Sequence, residues 1–404
     1  MNQFYAGARQ RYAAANAGTL DWMLARPPLR GEFLNTKQHS ITLADYGPDD
    51  GRRGPDYLYG WIEGRGLESL ATHAAFFAPT DVGLAERLDA AGRRLYRALD
   101  ALRAGNGHAY FCYDGSLQPV YADADGVLQP QARPADIFTY SDAFVAKGLV
   151  AGAARYAPDE LPRQVSALAE VIASIEAGRF LMAEGGRLDE ATLAAQPADF
   201  GPRMILLGAA GLLVRLGQRA KATGFAERFI YHVIDRHFDA PTGLLRDVPG
   251  EDICNVGHGI EFVGFALEYL PATADPGLLD TLERILAASF HSAFAGPGIR
   301  LSVSVATLRP TSPYCPWWSL PETIRAAALL HECTGSAAAL DIWRKADAAF
   351  FGKFWRGTPA IAYQTMTEAG PVDHVPATPD LDPGYHTGLS LLAAIEAADR
   401  LLGR

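Results

Sequence analysis

A histidine and a glutamate stand three residues apart in the stretch Asn255-Val256-Gly257-His258-Gly259-Ile260-Glu261-Phe262. In a helix that spacing brings both side chains to one face, one turn apart. Phe262, Phe265, Ala266 and Tyr269 follow at helical intervals and turn that face inward. Histidine titrates near neutrality, so it can take and return a proton where a carboxylate or lysine would be fixed in charge. Gly257 and Gly259 flank it and leave the backbone open to close approach. The competing reading of such a histidine is a helix cap or a packed core residue. His258 is therefore a candidate acid/base whose weight depends on what the rest of the chain places beside it.

The elements that must position it are almost all helical. Apolar residues recur with helical period near 3–24, 56–77, 82–104, 138–157, 160–179, 200–219, 224–238, 259–270, 276–294, 317–334, 336–355 and 386–402. The first helix is stopped by Arg26-Pro27-Pro28. A polar stretch from Arg30 to Pro55 reads as a long loop, a kind that is often functional. Every second helix follows a recognisable lead-in: Tyr57 to Trp61, Phe138 to Asp142, Phe200 to Met204, Val256 to His258, Cys315 to Trp318, and Pro383 to His386. These recur roughly every sixty residues, the mark of repeated helical hairpins. Six hairpins can close into a ring with one helix of each pair inside, and inside helices should be apolar nearly all round. Ala143 to Ala154 and Ile205 to Val214 fit that description. The expectation is one all-α domain over residues 1–404, an (α/α)6 barrel. Short β-hairpins belong at one mouth: His108 to Tyr113 turning at Asp114-Gly115 and returning through Gln118 to Val120, and a strand at Arg300 to Val305.

In such a ring the lead-ins open at the same end, so their side chains converge. They carry Trp61, Glu63, Arg65, Tyr140, Asp142, Arg203, Met204, His258, Glu261, Trp317, Trp318, Glu322, Tyr385 and His386. Aromatic planes cover the C–H faces of a pyranose and charged groups bind its hydroxyls, so this set suits a sugar. Plainer roles compete at several positions: Glu322 as a first-turn acid favoured by the helix dipole, Trp317-Trp318 as a core plug, and Arg203 as one half of an ion pair.

These motifs, in this order, resemble the N-acylglucosamine 2-epimerase family, which includes cellobiose 2-epimerases and mannose- or sulfosugar-directed isomerases. The resemblance rests on Trp61-Ile62-Glu63-Gly64-Arg65, Tyr140-Ser141-Asp142-Ala143-Phe144, Gly257 to Phe262, Trp317-Trp318 with Glu322, Arg325 and Ala326, and Tyr385-His386. It implies a catalytic histidine pair at His258 and His386, an essential arginine at Arg65, and supporting acids at Glu261 and Glu322. Trp61, Tyr140, Asp142, Arg203, Trp317, Trp318 and Tyr385 are then the expected substrate contacts. The chain departs from the family pattern at the third lead-in, where Gly201-Pro202-Arg203-Met204-Ile205 and Gly208 replace polar residues. Glu63 also stands where glutamine is usual, and Thr387-Gly388 replaces Pro-Arg. The chemistry implied is proton transfer at C2 of an opened aldose through a cis-enediolate. Return of the proton to C2 from the opposite face gives epimerisation; transfer to C1 gives a ketose. A glycoside hydrolase working with two carboxylates among Asp142, Glu261 and Glu322, and a non-catalytic sugar-binding protein, are the readings from other classes.

Composition narrows the partners. The chain of 404 residues is 49% hydrophobic and 20% charged with a net charge of −10 and no long basic run, which argues against nucleic-acid or anionic-membrane surfaces. The apolar run from Met204 to Val214 is too short to span a bilayer. The start, Met1-Asn2-Gln3-Phe4-Tyr5, lacks the pattern of a signal peptide. Cys112, Cys254, Cys315 and Cys333 are scattered, which suits free thiols in the cytoplasm. No Gly-rich phosphate loop, dinucleotide fingerprint or metal motif is present. The expectation is thus a small-molecule sugar substrate with no cofactor and no metal; a homodimer is allowed for.

Overall fold

A computed structural model describes residues 1–271, 273–374 and 377–403. Among them are α1 (Asn2–Leu24), α2 (Gly60–Phe77), α3 (Val82–Asn106), α4 (Tyr140–Tyr156), α5 (Leu161–Glu176), α6 (Glu190–Ala195) and α7 (Gly201–Arg215). They are followed by α8 (Arg219–His237), α9 (Val256–Tyr269), α10 (Pro276–Ala293), α11 (Ser319–Thr334), α12 (Ala337–Ala349) and α13 (Ser390–Leu401). One turn of π-helix, Tyr385–Leu389, leads into α13. The short α6 has no apolar period long enough to have been read from sequence. The helix ends have local causes. Asp81 caps α3 by accepting from the Leu84 amide at 3.0 Å, and Gly107 closes that helix in the left-handed region at φ 74°. Asn255 caps α9, with Oδ1 3.4 Å from the His258 amide.

The chain packs as two compact units. One comprises Met1–Thr19, Ala198–Pro376 and His386–Arg404; the other comprises Leu20–Pro197 and Ala377–Tyr385. In the first, α7, α9, α11 and α13 pack side by side, with α8, α10 and α12 against them. In the second, α2 and α4 pack on each other and carry α3 and α5. The two classes of helix differ as the hairpin pattern requires. Of the 14 residues of α9, 12 are buried, and of the 17 of α4, 13 are buried, so these helices are covered all round. The outer α8 buries only a stripe: Ala222, Phe225, Ala226, Phe229, Ile230, Val233 and His237.

Short strands end where inner helices begin: Leu58–Tyr59 before α2, Phe138–Thr139 before α4, Ile253–Cys254 before α9, and Cys315–Pro316 ahead of α11. Their pairing differs from the hairpins expected. Cys112–Tyr113 pairs with Leu58–Tyr59, and its return through Pro119 is a single bridge to Tyr113. In the stretch from Arg300 to Val305, only Val303–Ser304 is strand, lying between Ile253–Cys254 and Arg309–Pro310. The alternation of residue types marks extended chain but not the partner that satisfies its amides.

The crossing of α2 and α4 is set by two glycines. A Cβ on Gly64 would lie 2.5 Å from the Phe144 carbonyl carbon, and one on Gly148 would lie 2.3 Å from the Gly64 oxygen. The backbones touch there, which no larger residue allows. Gly148→Ala should therefore destabilise the protein by about 1–3 kcal/mol, as overpacking does. Gly105→Ala, whose Cβ would meet nothing within 4 Å, should be neutral or stabilising. Urea denaturation of the two variants checks the contrast; equal midpoints would remove the close-crossing account.

Candidate active site

The first lead-in residue to consider is Trp318, the N-cap of α11, because two histidines use it. His258, in the first turn of α9, stacks on its ring with centroids 5.7 Å apart and planes at 30°. His386, in the π-turn before α13, lies against it at 5.7 Å and 35°. Gly257 makes the approach possible: a Cβ there would lie 2.4 Å from the Trp318 indole. Phe200 adds an edge contact to His258 at 6.4 Å, and Trp317 one to His386 at 6.2 Å.

The two histidines differ electrically. His258 keeps part of its surface, yet protein encloses most of the ring, and this burial pulls its pKa below the ordinary 6.5 despite the opposing charge of Asp199. Its place in the first turn of a helix works the same way, since the positive end of the dipole disfavours a second positive charge. A neutral imidazole at neutral pH is the result.

His386 has carboxylates instead. Its Nδ1 donates to Glu322 Oε1 at 3.0 Å, and Glu261 Oε1 lies 3.9 Å away. Glu322 is fully buried and its other oxygen is 3.0 Å from the Arg325 guanidinium, which continues to Glu268 at 3.5 Å. The spacing explains the chain of contacts: Trp318, Glu322 and Arg325 are four and three residues apart and share one face of α11. Fixing the proton on Nδ1 leaves Nε2 as the basic nitrogen of the neutral ring, and the carboxylate stabilises the ring when it is charged. Donor atoms of Glu261, Glu322 and His386 all lie within 4.8 Å of one another, a compact set that could hold a cation. It is assembled from three helical segments, so sequence spacing gave no sign of it; Arg325 already supplies positive charge there.

The remaining first-unit candidate, Arg203, stacks on Phe229 at 5.7 Å. Its charge adds to burial in lowering His237 and in bringing His232 down to about 4.

The second unit gathers Arg65, Trp61, Tyr140, Phe144 and Tyr385. The Arg65 guanidinium lies 4.0 Å from the Phe144 ring centroid, 5.0 Å from Trp61 and 5.3 Å from Tyr385. Trp61 contacts Tyr140 edge-on at 5.7 Å, and its indole N–H donates to Glu184 at 2.8 Å. Glu184 also accepts from the Ser141 amide at 3.0 Å, yet burial dominates and pushes its carboxyl up to about 7. Burial likewise pushes Glu63 well up while its carboxyl accepts from the Leu34 amide at 3.0 Å. Asp142 is occupied by its surroundings. It accepts from the amides of Thr139 (2.9 Å) and Ala109 (3.0 Å) and pairs with Arg133 at 2.7 Å. Those charges and hydrogen bonds outweigh burial and hold its pKa below the usual carboxylate range.

Sequence reasoning missed Glu184, Glu68 and Lys147. Lys147 did carry a signal, a lone lysine inside the apolar run of α4. The capping role of Asp142 was also legible, in the pattern Thr139-x-x-Asp142. Glu184, in a loop, gave none.

Comparison with known proteins defines the class through the fold. The chain matches the cellobiose 2-epimerase of Spirochaeta thermophila DSM 6192 with a TM-score of 0.71 at 14% identity, over 98% of both chains. It matches a D-mannose isomerase at 0.71 and 13% identity, over 96% of this chain and 97% of that one. An unsaturated glucuronyl hydrolase specific for heparin matches at 0.58 and 11% identity, over 98% of each. Likeness across nearly the full length gives the fold as the all-α (α/α)6 barrel class expected from the helical hairpins. No family model matches the sequence, and no curated protein matches it. No described helix is long and apolar enough to cross a membrane.

Proposed function

We propose that this protein is a carbohydrate epimerase or isomerase of the N-acylglucosamine 2-epimerase type, acting on a free aldose by proton transfer at C2. The observation that carries the reading is the histidine pair on Trp318, one ring kept neutral by burial and the other backed by Glu322. A neutral imidazole can take the C2 proton of an open-chain aldose, and a carboxylate-backed imidazole can give one back or assist ring opening. His258 is assigned to C2 and His386 to the donor role. Glu322 and Glu261 orient and balance the charge on His386. Arg65 is the proposed cation for the enediolate oxygens, as the sequence resemblance implies, because it stays charged and offers parallel donors. Trp61, Tyr140, Arg203, Trp317, Trp318 and Tyr385 remain the proposed substrate contacts. The contacts of Asp142 favour holding the start of α4 in place over a catalytic carboxylate of a hydrolase. Four free cysteines suit a reducing compartment, so the cytoplasm is the proposed location.

The test is incubation with a panel of simple, N-acylated, acidic and disaccharide aldoses in D2O, followed by NMR. Deuterium should appear at C2 of at least one sugar, with the new signals identifying either the C2 epimer or a ketose. Absence of exchange across the panel, or release of reducing sugar from a glycoside in its place, would overturn the reading.

A further inference from the structure

Two pairs of residues at helical spacing three face each other where α2 and α4 cross. Arg65 and Glu68 stand on α2; Phe144 and Lys147 stand on α4. The glycine contact that brings the backbones together sets their register, so that Arg65 meets Phe144 at 4.0 Å and Glu68 meets Lys147 at 3.3 Å. Tyr385 spans both pairs. Its ring lies against Phe144 at 5.9 Å and Arg65 at 5.3 Å, and its hydroxyl accepts from Lys147 Nζ at 2.6 Å.

Lys147 is 1% exposed and Tyr385 is 1% exposed, an environment in which a lysine is normally lost in favour of an apolar residue. Burial alone would lower the Lys147 pKa, but Glu68 and Tyr385 outweigh it and raise it to about 12, so the ammonium is charged. Burial raises Tyr385 to about 12 as well, so it is a neutral phenol. A charged donor on a phenolic oxygen makes a strong, directional bond. It anchors the ring at its hydroxyl end, and that ring is one of the aromatic faces against which the Arg65 guanidinium lies.

We infer that Lys147 is a positioning residue for Arg65, acting through the Tyr385 hydroxyl, with Glu68 holding the lysine in place from its other side. The inference rests on the reading of Arg65 as the cation of the reaction. Its role is to hold a guanidinium by aromatic faces, keeping its plane fixed for an oxygen-bearing substrate group.

Two readouts test it: sugar turnover, and the rate at which phenylglyoxal modifies Arg65, followed by mass spectrometry against the other arginines of the intact protein. Tyr385→Phe removes only the hydroxyl, while Lys147→Met removes the charge and with it the pairing to the buried Glu68 carboxylate. Each should raise the reactivity of Arg65 selectively and lower kcat/KM by up to about 10²-fold, the scale of a small misplacement of a catalytic group. The double variant should be no worse than the more affected single one, since both act through one bond. Unchanged Arg65 reactivity in Tyr385→Phe, or a uniform rise across all arginines, would overturn the inference. If the wild type exchanges no sugar hydrogen, the isomerase reading falls by itself, while Arg65 reactivity still decides whether Lys147 positions it.

Discussion

His258→Asn is expected to lower C2–H exchange by about 10²–10⁴-fold, the range that a positioned general base supplies. Asparagine retains a polar group of similar reach near Trp318 but cannot take a proton. The pH behaviour separates a base from a packing residue. Burial holds His258 below 6.5, so the neutral form persists through that pH and the acid limb of kcat/KM should fall below it. The sign for stability follows from the same shift. The unfolded chain accepts a proton at an ordinary histidine pKa that the folded site resists, so the contribution is full above about pH 6.5 and is lost as pH falls further. Denaturation midpoints of the wild type should decline across that window, and His258→Asn should lack this part of the decline. An acid limb centred above pH 6.5, or full activity in His258→Asn, would remove His258 from the C2 assignment.

The helical scaffold was legible because it is written in local terms. Period, proline stops and capping residues are properties of neighbouring positions, and the helix at Asn2–Leu24 ends where Pro27 and Pro28 require. The buried character of α4 and α9 was legible for the same reason, since small and apolar residues continue around the whole helix. Strand pairing was not, because Cys112–Tyr113 finds its partner some fifty residues upstream at Leu58–Tyr59 and nothing local encodes that choice. The site divides along the same line. His258, Glu261, Trp318, Glu322 and His386 could be collected from the lead-ins, but their contacts could not. Spacing placed Glu261 on one helix face with His258, but its approach to His386 at 3.9 Å joins two segments far apart in sequence. Arg325 was visible as a motif residue three positions from Glu322 on the same helix, but its reach to Glu268 of α9 appears only when α9 and α11 are packed.

Glu322→Gln should be the most costly single substitution in stability and nearly as costly in rate. Glu322 has no exposed surface and sits between the His386 ring and the Arg325 guanidinium, itself 2% exposed. Neutralising it removes the carboxylate 3.0 Å from that buried cation and leaves the more distant Glu268 at 3.5 Å, and breaking a buried pair in this way costs about 3–5 kcal/mol. The catalytic effect has a separate origin. A carboxamide can turn its NH2 toward Nδ1, which moves the ring proton to Nε2 and withdraws the basic nitrogen from the substrate side. Loss of the correct tautomer and of charge support for the imidazolium can reach about 10⁴-fold in kcat in a comparable carboxylate–histidine pair. Arg325→Met combined with Glu322→Gln removes both buried charges, so it should recover stability relative to Glu322→Gln alone without recovering activity. Thermal denaturation alongside kcat for the single and double variants reads out the two terms independently. If stability and rate recovered together, Glu322 would be acting through the fold alone, and His386 would need another partner to set its proton.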